Sequence, residues 1–448
     1  MESLNKENKI YKWRCTVCGE IVEGQEPPER CPACGVSSEY FVKVKDEEAG
    51  EASNKEEKIV IIGASGAGMS AAAEIRKRDK TSELTIVSKE DVKGYYRPKL
   101  SKMLSNESIT MESMKIKKDK WYEENNVKLL LDKFVTKIDT EGRKVLLDDG
   151  QELKYTKLVI ASGAEVFVPP FPGRDKEGVF TLRYAKDSKA IKEYANGKKT
   201  ATVVGGGVLG LEAASELNNL GLNVTVLEMA DRILPRQLDS DASEVLEEIV
   251  KKAGVTFKKN VGTKEIIGDN RVNGILLDNG ETVDADLVVV STGVRANSSI
   301  AEGCGIDINR AIVVNDRMET SVSDVYACGD CAEYNGINYA LWSEAIEQGK
   351  AAGINLAGGS YVYETIIPST TLNGFDSKVF SIGDVGSNPE LKYEVYKDYD
   401  GKNFKKLYFV NDTLAGGILI GDTSKTAALA EGFEKSKKME EIIEKIKA

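Results

Sequence analysis

The 448-residue sequence contains no histidine, and this absence removes several kinds of redox chemistry. A disulfide-reducing flavoenzyme needs a histidine acid/base, and di-iron oxidase sites are built with histidine ligands. No stretch approaches the length of a transmembrane helix, and residues 1–6 lack the apolar segment of a secretory signal. A net charge of −11 argues against a nucleic-acid partner. We therefore expect a cytoplasmic protein with neither a membrane nor a nucleic-acid partner.

Four of the seven cysteines form two CxxC pairs near the N-terminus, which is a strong metal signature. The pairs are Cys15 with Cys18 and Cys31 with Cys34, and a glycine follows each one. Glycine tolerates the positive φ that turns backbone N–H groups toward the sulfurs. Four-sulfur sites suit iron and zinc equally, so the spacing predicts one metal and does not choose between the two.

Two segments share the pattern of a buried strand, a glycine-rich loop and an Ala-rich helix, as in dinucleotide-binding domains. The second loop has the complete fingerprint, and its strand-loop-helix unit is followed by Glu228, a carboxylate suited to a ribose diol and therefore to NADH over NADPH. The first loop departs from the fingerprint at Ser65. Its ribose-binding acid is Glu90, or else Glu90 is a solvated surface acid. The predicted loop glycines are Gly63, Gly66 and Gly68 in the first loop, and Gly205, Gly207 and Gly210 in the second.

The sequence predicts an α/β fold with two nested Rossmann-like domains, a small α+β C-terminal domain and a preceding metal-binding module. A charged stretch after the module has almost nothing to bury and is expected to be a flexible linker spanning about 20 Å. The predicted boundaries are 1–46 for the module, 47–57 for the linker, 58–170 and 290–364 for the first nucleotide domain, 171–289 for the second, and 365–448 for the C-terminal domain.

Residues 320–330 end in a Gly-Asp pair and resemble the segment of two-dinucleotide flavoprotein reductases whose aspartate binds the flavin ribityl chain. The resemblance gives this role to Asp330 and assigns FAD to the first nucleotide domain and NAD to the second. Residues 161–164 and 291–295 resemble the two crossover motifs between these domains. Ala161 and Gly293 are accordingly expected at the cofactors. Ala296 stands where the family usually has proline.

Residues 95–102 resemble the Arg-Pro-x-Leu-Ser-Lys segment of ferredoxin reductases, the apoptosis-inducing factor and NADH:rubredoxin oxidoreductases. The resemblance implies that Arg97 and Lys102 lie against the flavin, with the lysine near N5 and paired with Glu212. A cation there would stabilise the reduced, anionic flavin. Trp342, at the start of a helix resembling the last FAD helix, either flanks the flavin or is simply packed. No cysteine lies between Cys34 and Cys304, so the redox disulfide of other family branches is missing.

Residues 9–45 resemble rubredoxin in its short-spacer form, and the fusion to a flavoprotein reductase favours iron over zinc in the four-cysteine site. Together the resemblances imply an FAD-dependent NADH:rubredoxin oxidoreductase, in which NADH reduces FAD and FAD passes single electrons to the fused iron centre. Flavodiiron protein, rubrerythrin or a separate rubredoxin are the implied acceptors. Two alternatives stay open: an NADH oxidase or nitrite-reductase-like flavoprotein with a zinc ribbon for docking, and a redox-responsive interaction protein.

Overall fold

The computed structural model describes residues 10–15, 21–31, 37–44, 56–434 and 437–447. Two predicted metal ligands, Cys18 and Cys34, and most of the predicted linker lie outside this part of the chain. The N-terminal module forms an antiparallel sheet in which the central strand carries Cys15 at its end, opposite Phe41. Its strands, in chain order, are β1 (Tyr11–Cys15), β2 (Ile21–Gly24) and β3 (Phe41–Val44).

The next segment begins with a buried apolar strand and a helix of small residues, as its sequence pattern predicts. An antiparallel three-stranded sheet, β7 to β9, is inserted before the last parallel strand of this segment. The elements are β4 (Lys58–Ile62), α1 (Gly66–Arg78), β5 (Glu83–Val87), α2 (Asp119–Glu124), β6 (Val127–Leu130), β7 (Val135–Asp139), β8 (Lys144–Leu147), β9 (Glu152–Lys154), β10 (Lys157–Ile160) and β11 (Ala164–Val166).

The second nucleotide-binding unit repeats this plan. Its parallel sheet has the order β12-β19-β13-β14-β15, and β19 is buried along its whole length. The elements are β12 (Val179–Thr181), α3 (Ala185–Ala195), β13 (Thr200–Val204), α4 (Val208–Asn219), β14 (Asn223–Leu227), α5 (Ser240–Lys252), β15 (Thr256–Lys258), β16 (Thr263–Ile267), β17 (Gly274–Leu277), β18 (Thr282–Asp284) and β19 (Leu287–Val290).

The chain then returns to the first unit, because β22 pairs in parallel with β10 and completes the sheet β22-β10-β4-β5-β6. Helix α6 packs closely on α1: a Cβ at Gly349 would lie 2.2 Å from the Ala67 carbonyl oxygen, and one at Gly353 would lie 2.5 Å from that of Ala71. Glycine is therefore required where these helices touch. The elements are β20 (Val294–Ala296), β21 (Ile312–Val314), β22 (Val325–Ala327), β23 (Ala332–Tyr334) and α6 (Trp342–Leu356).

The C-terminal domain is an antiparallel sheet in the order β24-β25-β28-β27-β26, covered by two helices over the buried faces of its strands. The sequence predicts one helical stretch from 423 to 447, and the structure divides it into two. The elements are β24 (Ser369–Gly374), β25 (Ser377–Gly383), β26 (Glu394–Tyr399), β27 (Phe404–Val410), β28 (Thr413–Ile420), α7 (Thr426–Glu434) and α8 (Met439–Lys447). Among the described residues, no helix has the length and apolarity needed to cross a membrane.

Candidate functional site

A cavity of about 540 Å³ lies where the two nucleotide-binding units meet, at the ends of their parallel strands. Open α/β sheets bind ligands at this edge. The cavity draws its walls from both glycine-rich loops, from both crossover segments and from the N-terminus of α6. Ten of the predicted site residues line it: Gly63, Gly66, Glu90, Arg97, Ala161, Gly207, Glu212, Gly293, Asp330 and Trp342.

The first loop has a backbone that only glycine can follow at its turn and at its helix contact. Gly63 has a φ of +108°, and a Cβ there would lie 2.1 Å from the Ala161 carbonyl oxygen. A Cβ at Gly68 would lie 1.9 Å from the carbonyl oxygen of Gly63. Ser65 is the N-cap of α1 and makes no side-chain capping bond, and the first residues of the helix, Gly66 and Ala67, line the cavity. This cradle fits an anionic pyrophosphate.

The second loop repeats the same backbone geometry. Gly205 has a φ of +114°, and a Cβ there would lie 2.1 Å from the Ser291 carbonyl oxygen, while Gly210 packs on Gly205 as Gly68 packs on the first glycine of its own loop. The carboxylate of Glu228 accepts hydrogen bonds of 2.8 Å from the N–H groups of Gly206 and Ala230. Glu228 therefore lies at the loop, where the sequence predicts a ribose-binding acid.

Glu90 is part of a hydrogen-bonded cluster on the cavity wall. Its carboxylate receives a 2.7 Å ion-pair contact from Arg97 and a 2.7 Å hydrogen bond from the Tyr95 hydroxyl. Arg97 also donates to the Tyr95 hydroxyl at 3.0 Å and to the Ser65 hydroxyl at 3.4 Å. Both predicted residues thus line the cavity, but Glu90 is held by an arginine and a tyrosine, which the sequence alone did not indicate.

Arg183 is a cavity residue that the sequence analysis missed. Its Nη2 lies 2.9 Å from Oδ2 of Asp330, and both side chains are largely buried. Arg183 follows β12 in a segment without a motif, and 147 residues separate it from its partner. No local sequence signal marks such a pair, because the contact is created only when the chain returns to the first sheet.

The expected pairing of Lys102 with Glu212 is wrong. Lys102 Nζ lies 2.5 Å from Glu216 Oε1 and 2.5 Å from the Asn373 carbonyl oxygen. Lys102 is not among the residues that line the 540 Å³ cavity. The reason is helical spacing: Glu216 lies one turn beyond Glu212 on α4, and Ser101 faces Glu212 instead.

Glu212 reaches the cavity and accepts a 2.8 Å hydrogen bond from the Ser101 hydroxyl. Burial raises the pKa of Glu212 to about 7, although the Ser101 hydroxyl and the charge of Lys102 act in the opposite direction. Glu212 is therefore a carboxyl group that can hold or release a proton near neutral pH at the cavity wall.

Trp342 begins α6 and lies across the N-terminus of α1. A Cβ at Gly66 would be 3.0 Å from its ring. The Tyr96 ring meets Trp342 edge-on, with centroids 5.0 Å apart. Burial raises the pKa of the Tyr96 hydroxyl. Tyr96 belongs to the same buried cluster as Cys15 and Cys31 of the module. This aromatic pair, which we call the aromatic wall, therefore separates the cavity from the cysteine module.

Four of the five described cysteines form two groups. Cys15 and Cys31 are buried cysteines of the module, and their chemistry fits half of a four-thiolate metal site. Cys328 and Cys331 also form a CxxC, but both are fully buried in the first domain, and Cys331 Sγ lies 3.3 Å from the Ile160 carbonyl oxygen. Burial raises the pKa of both of these thiols. They are therefore packing residues and not nucleophiles.

Comparison with known proteins identifies the family. The model of the pyridine nucleotide-disulphide oxidoreductases matches residues 57–349, which is more than half of the chain. The chain belongs to the pyridine nucleotide-disulphide oxidoreductase family. The model described as the rubredoxin NAD+ reductase C-terminal domain matches residues 368–437, and that of the rubredoxin-like domain of rubrerythrin matches residues 13–42. The predicted fold class and the family resemblance are confirmed.

Two relatives and one solved structure show how far the likeness extends. The NADH-rubredoxin oxidoreductase of Clostridium acetobutylicum is 33% identical over 87% of this chain and 97% of its own length. A crystal structure of the NADH:rubredoxin oxidoreductase from the same organism superimposes with a TM-score of 0.73 and 31% identity, over 86% of this chain and 96% of that one. The nitrite reductase [NAD(P)H] of Bacillus subtilis is 37% identical over 84% of this chain, but this chain spans only 47% of its length.

Proposed function

We propose that this protein is an FAD-dependent NADH:rubredoxin oxidoreductase with its own rubredoxin module. The observation that carries the proposal is the shared cavity, which both helix N-termini reach and which the aromatic wall separates from the cysteine module. Bound in this cavity, FAD would supply two-electron chemistry toward NADH and one-electron chemistry toward the metal of the four cysteines. The remaining chemistry is the work of the protein's own side chains.

The first loop and its neighbours would hold FAD. The N-terminal N–H groups of α1 would bind the pyrophosphate, and Arg97 would supply a positive charge beside the Ser65 hydroxyl. Asp330 would present a carboxylate to the ribityl hydroxyls, and its ion pair with Arg183 would fix its orientation. The crossover residues Ala161 and Gly293 leave room for the cofactor, since both lie on the cavity wall.

The second loop would hold NADH. Its glycines would allow the pyrophosphate to approach the N-terminus of α4, and Glu228, which accepts a hydrogen bond from the Gly206 N–H, would also accept hydrogen bonds from a ribose diol. The negative charge of the Glu228 carboxylate would repel a 2′-phosphate at the same place. Glu228 therefore supports the preference for NADH over NADPH.

Glu212 is the ionisable carboxyl group that we propose meets the reacting end of the cofactors. It shares the cavity with both loops and has a pKa near neutrality. Lys102 would act on it only indirectly, through its charge and through the Glu216 pair. This arrangement lets Glu212 hold a proton at the cavity wall without a histidine.

We propose iron as the metal of Cys15, Cys18, Cys31 and Cys34, and an external redox protein as the final acceptor. Flavodiiron protein, rubrerythrin or a separate rubredoxin would suit this role, because the described residues and the histidine-free sequence lack a di-iron site. We place the reaction in the cytoplasm, where thiols stay reduced and available to a metal.

A second candidate is a flavoprotein of nitrite-reductase type with a zinc ribbon, and the 37% identity to the Bacillus subtilis enzyme favours it. The deciding experiment is metal analysis of the purified protein, with a visible spectrum followed during anaerobic addition of NADH. We expect one iron per chain and bleaching of both flavin and iron bands. A zinc-filled module, or an iron band that NADH leaves unchanged, would contradict the proposal.

The variant Cys31→Ser tests whether the module lies on the electron path. It should keep flavin reduction by NADH but lose transfer to an external rubrerythrin or flavodiiron protein. The matched control is Cys304→Ser, which changes a buried thiol bonded to the Ile138 carbonyl oxygen far from the module. If Cys31→Ser transferred electrons as fast as this control, the module would not be on the path.

A further inference from the structure

The N-terminal module contacts helix α6 through an ion pair. Arg14 Nη1 lies 3.6 Å from Glu347 Oε2, with side-chain exposures of 23% and 7%. Arg14 precedes Cys15 on β1, and Glu347 lies about 7.5 Å along the helix from Trp342. One rigid helix therefore carries both a wall of the cavity and an anchor for the module.

The positive charge of Arg14 acts on two buried acids of α6. Glu344 and Glu347 are buried carboxylates three residues apart, on one face of the helix. Glu344 is hydrogen-bonded by the Tyr363 hydroxyl, and Lys350 lies 3.5 Å from Glu347. Burial and the charge of Glu347 raise the pKa of Glu344 to about 7, whereas the Tyr363 hydrogen bond and Arg14 lower it. Arg14 thus offsets part of the cost of burying two acids.

The module is also held at the C-terminal domain. The Tyr40 hydroxyl and the Thr423 hydroxyl form a hydrogen bond, and both residues are almost fully buried. Helix α7 packs against the module at β3 and at the short 3-10 turn Ser38–Tyr40. Helix α6 and the region of Thr423 and α7, which are far apart in sequence, therefore both contact the module.

Between these anchors the contact is apolar. Cys15, Cys31 and Phe41 of the module belong to the same continuous buried cluster as Tyr96 and Leu100 of the first nucleotide domain. Tyr96 keeps only 6% of its surface exposed, and Leu100 only 2%. The surface that leads to the cavity is thus already covered by the protein's own module.

We propose that the module docks within its own chain on the aromatic wall, fixed by Arg14–Glu347 and Tyr40–Thr423, and that it shuts a separate redox protein out of this surface. The inference rests on the proposed function, which makes the module the acceptor. An external acceptor must then engage the side of the module that faces away from the aromatic wall. The tether raises the module's local concentration to the millimolar range, so a free competitor at micromolar concentration is disfavoured.

Small-angle scattering of the full-length holoprotein, coupled to size exclusion, tests the docked position. Arg14→Glu places a third acid beside Glu344 and Glu347 and should release the module. We expect the radius of gyration to rise by about 2 Å, because about a tenth of the mass moves outward on the linker. Arg14→Lys keeps the charge and should scatter like the wild type. Arg30→Glu, a charge reversal at an exposed arginine of the same module, is the matched control.

Binding of a separate, purified rubredoxin tests the blocked surface by titration calorimetry, without turnover. We expect Arg14→Glu to bind it at least about tenfold more tightly than the wild type and the Arg30→Glu control. Equal binding by all three proteins would overturn the blocking. An extended wild type would overturn the docking, and an Arg14→Glu protein as compact as Arg30→Glu would overturn the role of the Arg14–Glu347 pair in fixing it. Neither readout depends on electron transfer, so a docked module whose iron NADH does not reduce would refute the proposed function alone.

Discussion

The two glycine-rich loops share one backbone and differ in their side chains. In each, the first glycine has a φ above +100° and lies against a crossover carbonyl oxygen, and the last glycine packs on the first. Around the first loop, Trp342 crowds Gly66 and Arg97 reaches Ser65. At the second loop, Gly207 stands where the first loop has Ser65, and nothing lies within 4 Å of a Cβ there, although a Cβ on Gly206 would lie 3.0 Å from the Phe257 ring. An enclosed loop suits a cofactor that stays, and an open loop suits one that exchanges at every turnover.

The acids at the two loops differ as well. Glu228 holds its own loop through the N–H of Gly206, whereas Glu90 turns to Arg97 and Tyr95. The helices that follow also carry different residues two positions beyond the last glycine. In α4 this residue is Glu212, which reaches the cavity, and in α1 it is Ser70, which donates to the Ile346 carbonyl oxygen. The shared backbone sets where nucleotides lie, and the side chains set what each site does.

The largest expected effect comes from replacing the first glycine of each loop by alanine. Gly63→Ala and Gly205→Ala each combine a disfavoured φ with a backbone clash, which costs about 3 kcal/mol or more. We expect Gly63→Ala to purify without flavin, whereas Gly205→Ala keeps its flavin and loses NADH binding. Flavin content and NADH titration measure the two outcomes. Equal loss of flavin in both variants would remove the distinction between the loops.

The second-largest expected effect concerns Glu212, because α1 has no acid at the matching position. Its pKa rises from 4.5 to about 7 in the folded protein, so the folded state keeps a proton that the unfolded state has lost between these values. Stability is therefore lost as the pH rises through this window. Glu212→Gln should stabilise the FAD-free protein by about 2 kcal/mol at pH 8 and by little at pH 4.5.

Urea denaturation of the FAD-free protein at the two pH values measures the Glu212 effect. Glu216→Gln is the contrasting variant on the same helix, and it should destabilise, because Lys102 would lose its charged partner. If Glu212→Gln raised the free energy of unfolding equally at both pH values, the Glu212 carboxyl group would not titrate in this range.

A smaller effect is expected from Glu228→Gln, which keeps the shape but removes the charge. NADH should bind about tenfold more weakly, or about 1.4 kcal/mol, and the discrimination against NADPH should fall. Glu90→Gln is the control at the other loop and should leave NADH affinity unchanged. Titration of both variants with the two nucleotides measures these affinities. A similar loss of NADH affinity in both variants would contradict the assignment of Glu228 as the ribose-binding acid.

The smallest effect should follow from Ser65→Gly, which restores the fingerprint glycine to the first loop. The serine makes no capping hydrogen bond and lies 3.4 Å from Arg97 Nε, so little is lost with it. We expect FAD affinity to change less than about threefold, or about 0.6 kcal/mol. Fluorescence titration of the FAD-free protein measures this, and a loss above tenfold would make Ser65 a ligand.

Local patterns were enough to predict the nucleotide loops and the order of the domains. A buried strand followed by spaced glycines has few ways to fold, since Gly63 and Gly205 need a positive φ that other residues rarely adopt. The Asp330 position and the crossover segments were also predicted, from family resemblance, and they line the cavity. The domain boundaries and the roles of the site residues stay predictions.

Side-chain partners across long separations could not be predicted. The family motif predicts that Lys102 pairs with Glu212. A lysine can reach either of two acids one helical turn apart, and in the structure Lys102 contacts Glu216 and the Asn373 carbonyl oxygen. Arg183 has no motif at all and meets Asp330 only through the return of the chain. Such pairings depend on packing between domains, which no local pattern encodes.

The sequence by itself determined the two nucleotide loops and the four-cysteine signature, because glycine conformation and ligand spacing are local properties of the chain. Only the tertiary structure decided which acids face the cavity and where the module rests. Arg14 and Glu347 are more than 300 residues apart, and Tyr40 and Thr423 are separated by 383. Contacts of that kind arise from folding the whole chain, since their free energy comes from burying charge and apolar surface between domains.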